Sequence, residues 1–178
     1  MNEAKLKSLQ PILQAASFAG RAHKGQLRKD KETPYVCHVF RVCLIVRDLF
    51  GFDDPRMLIA ALLHDTIEDT LIDFDDLESA FGAEIAQWVS LLTKDKRLPE
   101  TKREKAYLAS LARAPWQVKA CKLADLCDNM LDAGALPVEK LAKSRARYEQ
   151  YWKTFRNWLE PELKKPLEIT ARIIAELA

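Results

Sequence analysis

The run Ala60-Ala61-Leu62-Leu63-His64-Asp65-Thr66-Ile67-Glu68-Asp69 puts an imidazole and three carboxylates at the end of an apolar stretch that begins at Met57. Read as one helix, it places His64 above Glu68 and Asp65 above Asp69, because residues four apart share a face. Such groups are costly to bury unless a cation or a partner satisfies them. The chemistry this spacing suggests is a divalent metal with a reactive water beside it.

A nitrogen and oxygen site needs further ligands. The chain has 3 histidines, His23, His38 and His64. His38 lies on the preceding helix, which can pack against the His64 helix. Asp125 interrupts the apolar stretch Val118–Ala124 and is either a distant ligand or the partner of a helix salt bridge. A His/His/Asp/Asp set suits manganese, iron or zinc better than calcium. Glu68 and Asp69, one turn on, can orient a water of lowered pKa and shuttle its proton. Those parts together fit metal-assisted phosphoester hydrolysis. His23 reads as a structural hydrogen-bonding group.

The scaffold that must position these residues reads as all-α. Gly is scarce, at 5 residues, which argues against a Gly-rich phosphate loop or a turn-dense β fold. At 178 residues with 48% hydrophobic and 30% charged side chains, the chain fits one globular domain. Leu6, Leu9, Ile12, Leu13, Ala16 and Ala19 predict a first helix to about Lys24, with Pro11 placing its regular start near Ser8. After a polar loop, Gly25 to Pro34, a helix is predicted from Tyr35 to Phe50. Asp54 caps the next helix, with Pro55 in its first turn. Asp75 and Glu78 form a capping-box-like pair for another helix, which Gly82 ends. Further helices are predicted at Ala83–Leu92, Glu104–Leu111, Trp116–Met130, Lys140–Leu159, after Pro137, and Leu167–Leu177, with Pro161 and Pro166 as punctuation.

Two basic loops flank the candidate ligands. Arg21, Lys24, Arg28, Lys29 and Lys31 precede His38, and Lys94, Lys96 and Arg97 follow the acidic cluster. Each is either a solvated face or a grip on an anionic substrate. Tyr148, Tyr151, Trp152, Phe155 and Trp158 form a stripe at helical spacing, mostly core, with room for one member at a cleft. The net charge of +2 gives no bulk attraction to nucleic acid. No apolar run approaches the ~18–20 residues of a membrane span. The N-terminus lacks a signal-peptide apolar core, so the expectation is a cytoplasmic protein. Cys37, Cys43, Cys121 and Cys127 include no Cys-x-x-Cys pair and read as buried thiols.

Five ordered motifs resemble one family. They are Ala22-His23-Lys24-Gly25-Gln26-x-Arg28-Lys29, Thr33-Pro34-Tyr35-x-x-His38, Ala60 to Thr70, Phe81-Gly82, and Lys122-Leu123-Ala124-Asp125-x-x-x-Asn129-Met130. The chain is similar, from about Phe18 to Trp152, to the hydrolase domain of RelA/SpoT homologues in the HD phosphohydrolase superfamily. The resemblance implies a single compact HD-domain helical bundle over residues 1–178, with C-terminal helices 140–178 packing on it. It also implies a stand-alone small alarmone hydrolase with no synthetase or regulatory domain.

By that resemblance the activity is manganese-dependent removal of the 3′-pyrophosphate of ppGpp or pppGpp, one divalent ion per chain, yielding GDP or GTP and pyrophosphate. The implied ligands are His38, His64, Asp65 and Asp125. Glu68 and Asp69 take the water-activating and proton-handling roles. Arg28 and Lys29 are implied to contact the base, Asn129 the ribose region, and Lys96 and Tyr148 the phosphates and nucleotide. Rivals are an HD phosphohydrolase for another phosphorylated nucleotide such as NADPH, or an alarmone-binding sensor without turnover. The chain departs from the family at Val39, at Asp30-Lys31-Glu32, at Leu126, and at Asp128, where the family often has His or an aromatic residue.

Overall fold

Helix follows helix in the computed structural model, which describes residues 3–135 and 138–176. Among the described residues β-type pairing is confined to one isolated antiparallel bridge, Leu27 with Pro34. The architecture is the all-α one that the scarcity of glycine and the helical periodicity predict.

α1 (Glu3–Ala22) starts earlier than expected and runs through Pro11. Proline removes one helical donor. Here that happens beside exposed residues, Leu6 to Gln10. α2 (Val36–Leu44) passes directly into a π-helical segment, Ile45–Phe50, that ends at Gly51 with φ 86°. A side chain at that φ would be strained, so glycine is the fitting stop. α3 (Pro55–Leu63) opens as expected: the Asp54 carboxylate accepts from the Arg56 N–H, and Pro55 fills the first turn. Every residue of α3 from Met57 to Leu63 is buried. α1 and α2 cover it, and α8 (Trp116–Leu131) packs on α2 and α3.

The expected single helix through His64–Asp69 is not formed. α3 stops at Leu63, and a separate short helix, α4 (Thr66–Asp69), follows. Asp65 sits at φ −103°, ψ 1°, outside the helical well. Two side chains take the carbonyls that the break releases. His64 Nδ1 donates to Ala61 O at 2.8 Å, and Thr66 Oγ1 donates to Leu63 O at 2.7 Å. These local bonds compete with the helix ladder.

Further along, the cap of α5 (Phe74–Phe81) lies upstream of the expected Asp75 and Glu78. Asp73 and Asp76 form the reciprocal capping box. The same acid pattern occurs two residues apart in this acidic stretch, and the earlier register wins because Asp73 is the residue with extended backbone, φ −111° and ψ −175°. α6 (Ala83–Leu92) matches its expected span. α7 (Glu100–Arg113) is longer at both ends than Glu104–Leu111, starting directly after Pro99. α9 (Val138–Phe155) stops before Leu159, and α10 (Lys164–Glu176) takes Pro166 into its first turn, where no donor is needed. Pro137 and Leu177 lie outside the described residues.

These last helices share the core. Phe155, Trp158, Leu163 and Ile173 are buried with Met57, Leu63, Leu77 and Leu123. Thr170 Oγ1 lies 3.3 Å from Cys127 Sγ, tying α10 to α8. Cys43, Cys121 and Cys127 are buried free thiols and Cys37 is half-buried.

Candidate active site

Three separate stretches of chain bring the expected ligands together. α2 supplies His38, the break between α3 and α4 supplies His64 and Asp65, and α8 supplies Asp125. One ligand atom each from His38, His64 and Asp65 lies within 4.8 Å of the others. Asp125 closes the group: its Oδ1 is 3.2 Å from His38 Nε2 and 3.8 Å from His64 Nε2. Asp65 Oδ2 is 3.0 Å from His64 Nε2 and 3.5 Å from His38 Nε2. The kink at Asp65 allows this meeting. On a continuous helix His64 and Asp65 would diverge by about 100°.

The donor set fits a divalent cation. His64 Nδ1 is committed to Ala61 O, which leaves Nε2 as the nitrogen that could meet a cation. That Nε2 is buried and makes no properly directed hydrogen bond, although two carboxylates stand near it. The charged groups are closely paired. Burial opposes a charge on His38, yet the hydrogen bonds its ring donates to Asp125, Asp128 and Asp65 outweigh it and push its pKa up to about 10. Burial also opposes ionisation of Asp65, but His64 and His38 hold its carboxyl well below the usual range. For Asp125, Lys122 overcomes burial, with His38 and His64 adding to it. Without an ion the imidazoles and Lys122 balance these carboxylates, and a divalent cation bound here would take the place of the ring protons.

The neighbouring acids occupy distinct places. Glu68 is pushed up by burial, against the pull of the Lys94 N–H, which donates to Glu68 Oε2 at 2.9 Å. Asp69 sits further out: Lys96 Nζ lies 2.6 Å from its Oδ1, and Tyr35 Oη lies 3.3 Å from its Oδ2. Both acids line a cleft of about 660 Å³ whose floor includes His38, Asp65 and Asp125. Arg28, Lys29, Lys94, Lys122 and Arg147 add positive charge to its walls. That combination can hold a polyanion over a metal.

The sequence pattern of the HD domain family matches residues 15–160. The chain belongs to the HD domain family. Guanosine-3′,5′-bis(diphosphate) 3′-pyrophosphohydrolase MESH1 of Xenopus tropicalis is 37% identical over 142 residues, 79% of each chain. The Homo sapiens protein of the same name is likewise 37% identical over 142 residues and 79% of each chain. A solved structure described as a metazoan ortholog of SpoT that hydrolyzes ppGpp matches with a TM-score of 0.79 and 30% identity, over 91% of this chain and 94% of that one.

Other residues singled out from sequence fall into three groups in this HD domain. Arg28, Lys29, Asn129 and Tyr148 line the cleft. Arg28, Asn129 and Tyr148 already make hydrogen bonds there. Arg28 is buried, its guanidinium 2.9 Å from Asp132 Oδ2 and 3.2 Å from Asn129 Oδ1. Asn129 Nδ2 donates to Asp125 Oδ1 at 2.5 Å, and Tyr148 Oη donates to Asn129 O at 3.1 Å. Burial pulls the Lys29 ammonium down, and Arg28 adds to that. Lys96 stands apart from the cleft lining, with its ammonium on Asp69 and on Glu68 O at 2.5 Å. His23 is structural, as expected: Nδ1 lies 2.9 Å from Gln26 Oε1, and its ring stacks on Tyr35 at 4.9 Å.

Sequence reasoning missed three residues that hold the site. Tyr35 Oη donates to Asp65 Oδ2 at 2.6 Å. Lys122 Nζ donates to Asp125 Oδ2 at 2.6 Å. His38 Nδ1 donates to Asp128 Oδ2 at 2.6 Å. The available signal was spacing. Lys122 and Asp128 stand three residues either side of Asp125 within a buried helical stretch, where charged residues need partners.

Proposed function

We propose that this HD domain hydrolyses the 3′-pyrophosphate of ppGpp and pppGpp, giving GDP or GTP and pyrophosphate. One observation carries the reading: His38, Asp65 and Asp125 line a cleft, with His64 beside them, and the same cleft is lined by Glu68, Asp69 and a set of basic groups. The names and similarity of the MESH1 relatives support the substrate.

In this proposal His38, His64, Asp65 and Asp125 hold one divalent cation, manganese in our reading. When bound, it supplies Lewis acidity toward a phosphoryl oxygen and lowers the pKa of a water. Glu68, its pKa raised by burial, accepts the proton of the attacking water. Water adds to the phosphorus that bears the ribose 3′-oxygen, the bond to that oxygen breaks, and the oxygen leaves with a proton. Asp69, held by Lys96, handles that proton. Arg28 and Lys29 face the base, Asn129 and Tyr148 the ribose and nucleotide, and Lys96 steadies the phosphate side through Asp69.

No described helix is long and apolar enough to cross a membrane. The free thiols favour a reducing compartment, and we place the protein in the cytoplasm. The test is product identification from a panel of phosphorylated nucleotides with manganese present. GDP and pyrophosphate from ppGpp are the expected result. Turnover of NADPH alone, or tight ppGpp binding without products, would reject the reading.

A further inference from the structure

His38 is held from behind as well as in front. Its Nε2 edge meets Asp65 and Asp125. Its Nδ1 edge meets Asp128, whose Oδ2 lies 2.6 Å away. The Asp128 side chain is 3% exposed and is gripped in turn: Arg41 Nε lies 2.6 Å from Oδ1, and Arg41 Nη2 lies 3.1 Å from Oδ2. Arg41 also reaches Asp132 Oδ1 at 3.2 Å, so its guanidinium is anchored on two carboxylates of α8 and the turn that follows.

The chemistry of this arrangement is specific. An ionised carboxylate only accepts hydrogen bonds, so Asp128 keeps a hydrogen on Nδ1, and a cation held by Asp65 and Asp125 would displace the hydrogen on the opposite edge and meet the Nε2 lone pair. Histidine ligands depend on such partners for tautomer and ring orientation. The two-point grip of Arg41 on Asp128 fixes the carboxylate in one rotamer. α8 therefore supplies a candidate ligand, Asp125, and the holder of another ligand, Asp128, one turn apart.

We propose that Asp128, clamped by Arg41, is a positioning residue that sets the tautomer and ring angle of His38 toward the cation. The inference rests on the metal reading given above. It is tested by titrating manganese into the metal-free protein and following the free ion by electron paramagnetic resonance. Asp128→Ala is expected to weaken binding roughly 10–100-fold. Asp128→Asn, whose amide oxygen can still accept from Nδ1, is expected to recover most of that loss. Equal affinity in wild type and Asp128→Ala overturns the proposal. So does a loss shared by both variants in step with a lower melting temperature of the metal-free protein, which marks a merely structural side chain. Wild-type protein that takes up no manganese overturns the metal reading, and this inference with it.

Discussion

The Lys122 ammonium lies 2.6 Å from Asp125 Oδ2, one turn before it on α8, with side-chain exposures of 12% and 10%. Burial opposes the charge on Lys122, and Asp125 more than restores it. Removing one partner of a buried pair leaves the other charge uncompensated. Lys122→Met is therefore expected to destabilise the metal-free protein by about 3 kcal/mol. Urea unfolding with and without manganese checks it, and the variant should gain more from the ion than wild type does. An unchanged unfolding midpoint in the metal-free variant would rule the pairing out as a stability determinant.

Glu68 offers a clean separation of chemistry from binding. It lines the cleft but is not among the atoms that converge with His64. Glu68→Gln keeps the shape and the acceptor for the Lys94 N–H. Turnover of ppGpp should fall by roughly 10²–10⁴, while manganese affinity stays within about twofold by the same separation of roles. Wild-type turnover in this variant would remove Glu68 from the mechanism.

Metal removal should be felt as heat sensitivity as well as lost activity. A ligand at 100 times its Kd stabilises a native state by about 2.7 kcal/mol. For a chain of this size that corresponds to a melting temperature roughly 5–10 °C higher. Calorimetry of the chelated protein, before and after manganese is restored, measures it. A melting temperature indifferent to the ion would contradict a site built from residues this far apart in sequence.

The loop that carries Arg28 and Lys29 has its own pH dependence. The Thr33 hydroxyl, with the Glu32 and Thr33 N–H groups, holds the Asp30 carboxyl down to about 2. A carboxyl depressed on folding contributes its stability above the unfolded value, near 3.9. That contribution is lost as pH falls through the folded value. The loop should thus be held at neutral pH and loosen between about pH 4 and pH 2. Amide exchange of Glu32 and Thr33 reports it. At neutral pH, Asp30→Ala should raise KM severalfold with kcat little changed, on the order expected when a positioning contact is lost. A change in kcat alone would contradict that assignment.

The meeting of the candidate ligands was legible in the sequence because they are residue types that cannot be buried cheaply. His64, Asp65 and Asp125 each break an apolar stretch, and the structure brings them together with His38. α6 was legible end to end because Gly82 and an apolar period bound it. The break after Leu63 was not, because it depends on where the His64 and Thr66 side chains find carbonyls, and periodicity carries no trace of that. Asp128 escaped for a related reason. Its partners, His38 and Arg41, lie 90 and 87 residues away, and only tertiary packing makes them neighbours.

That distance has a temporal side. The proposed seat for the ion draws on α2, on the junction after α3, and on α8, so no stretch of chain ending before Asp125 contains it. A polypeptide still leaving the ribosome must finish most of its length, and dock its eighth helix, before it can capture a cation from the surrounding fluid.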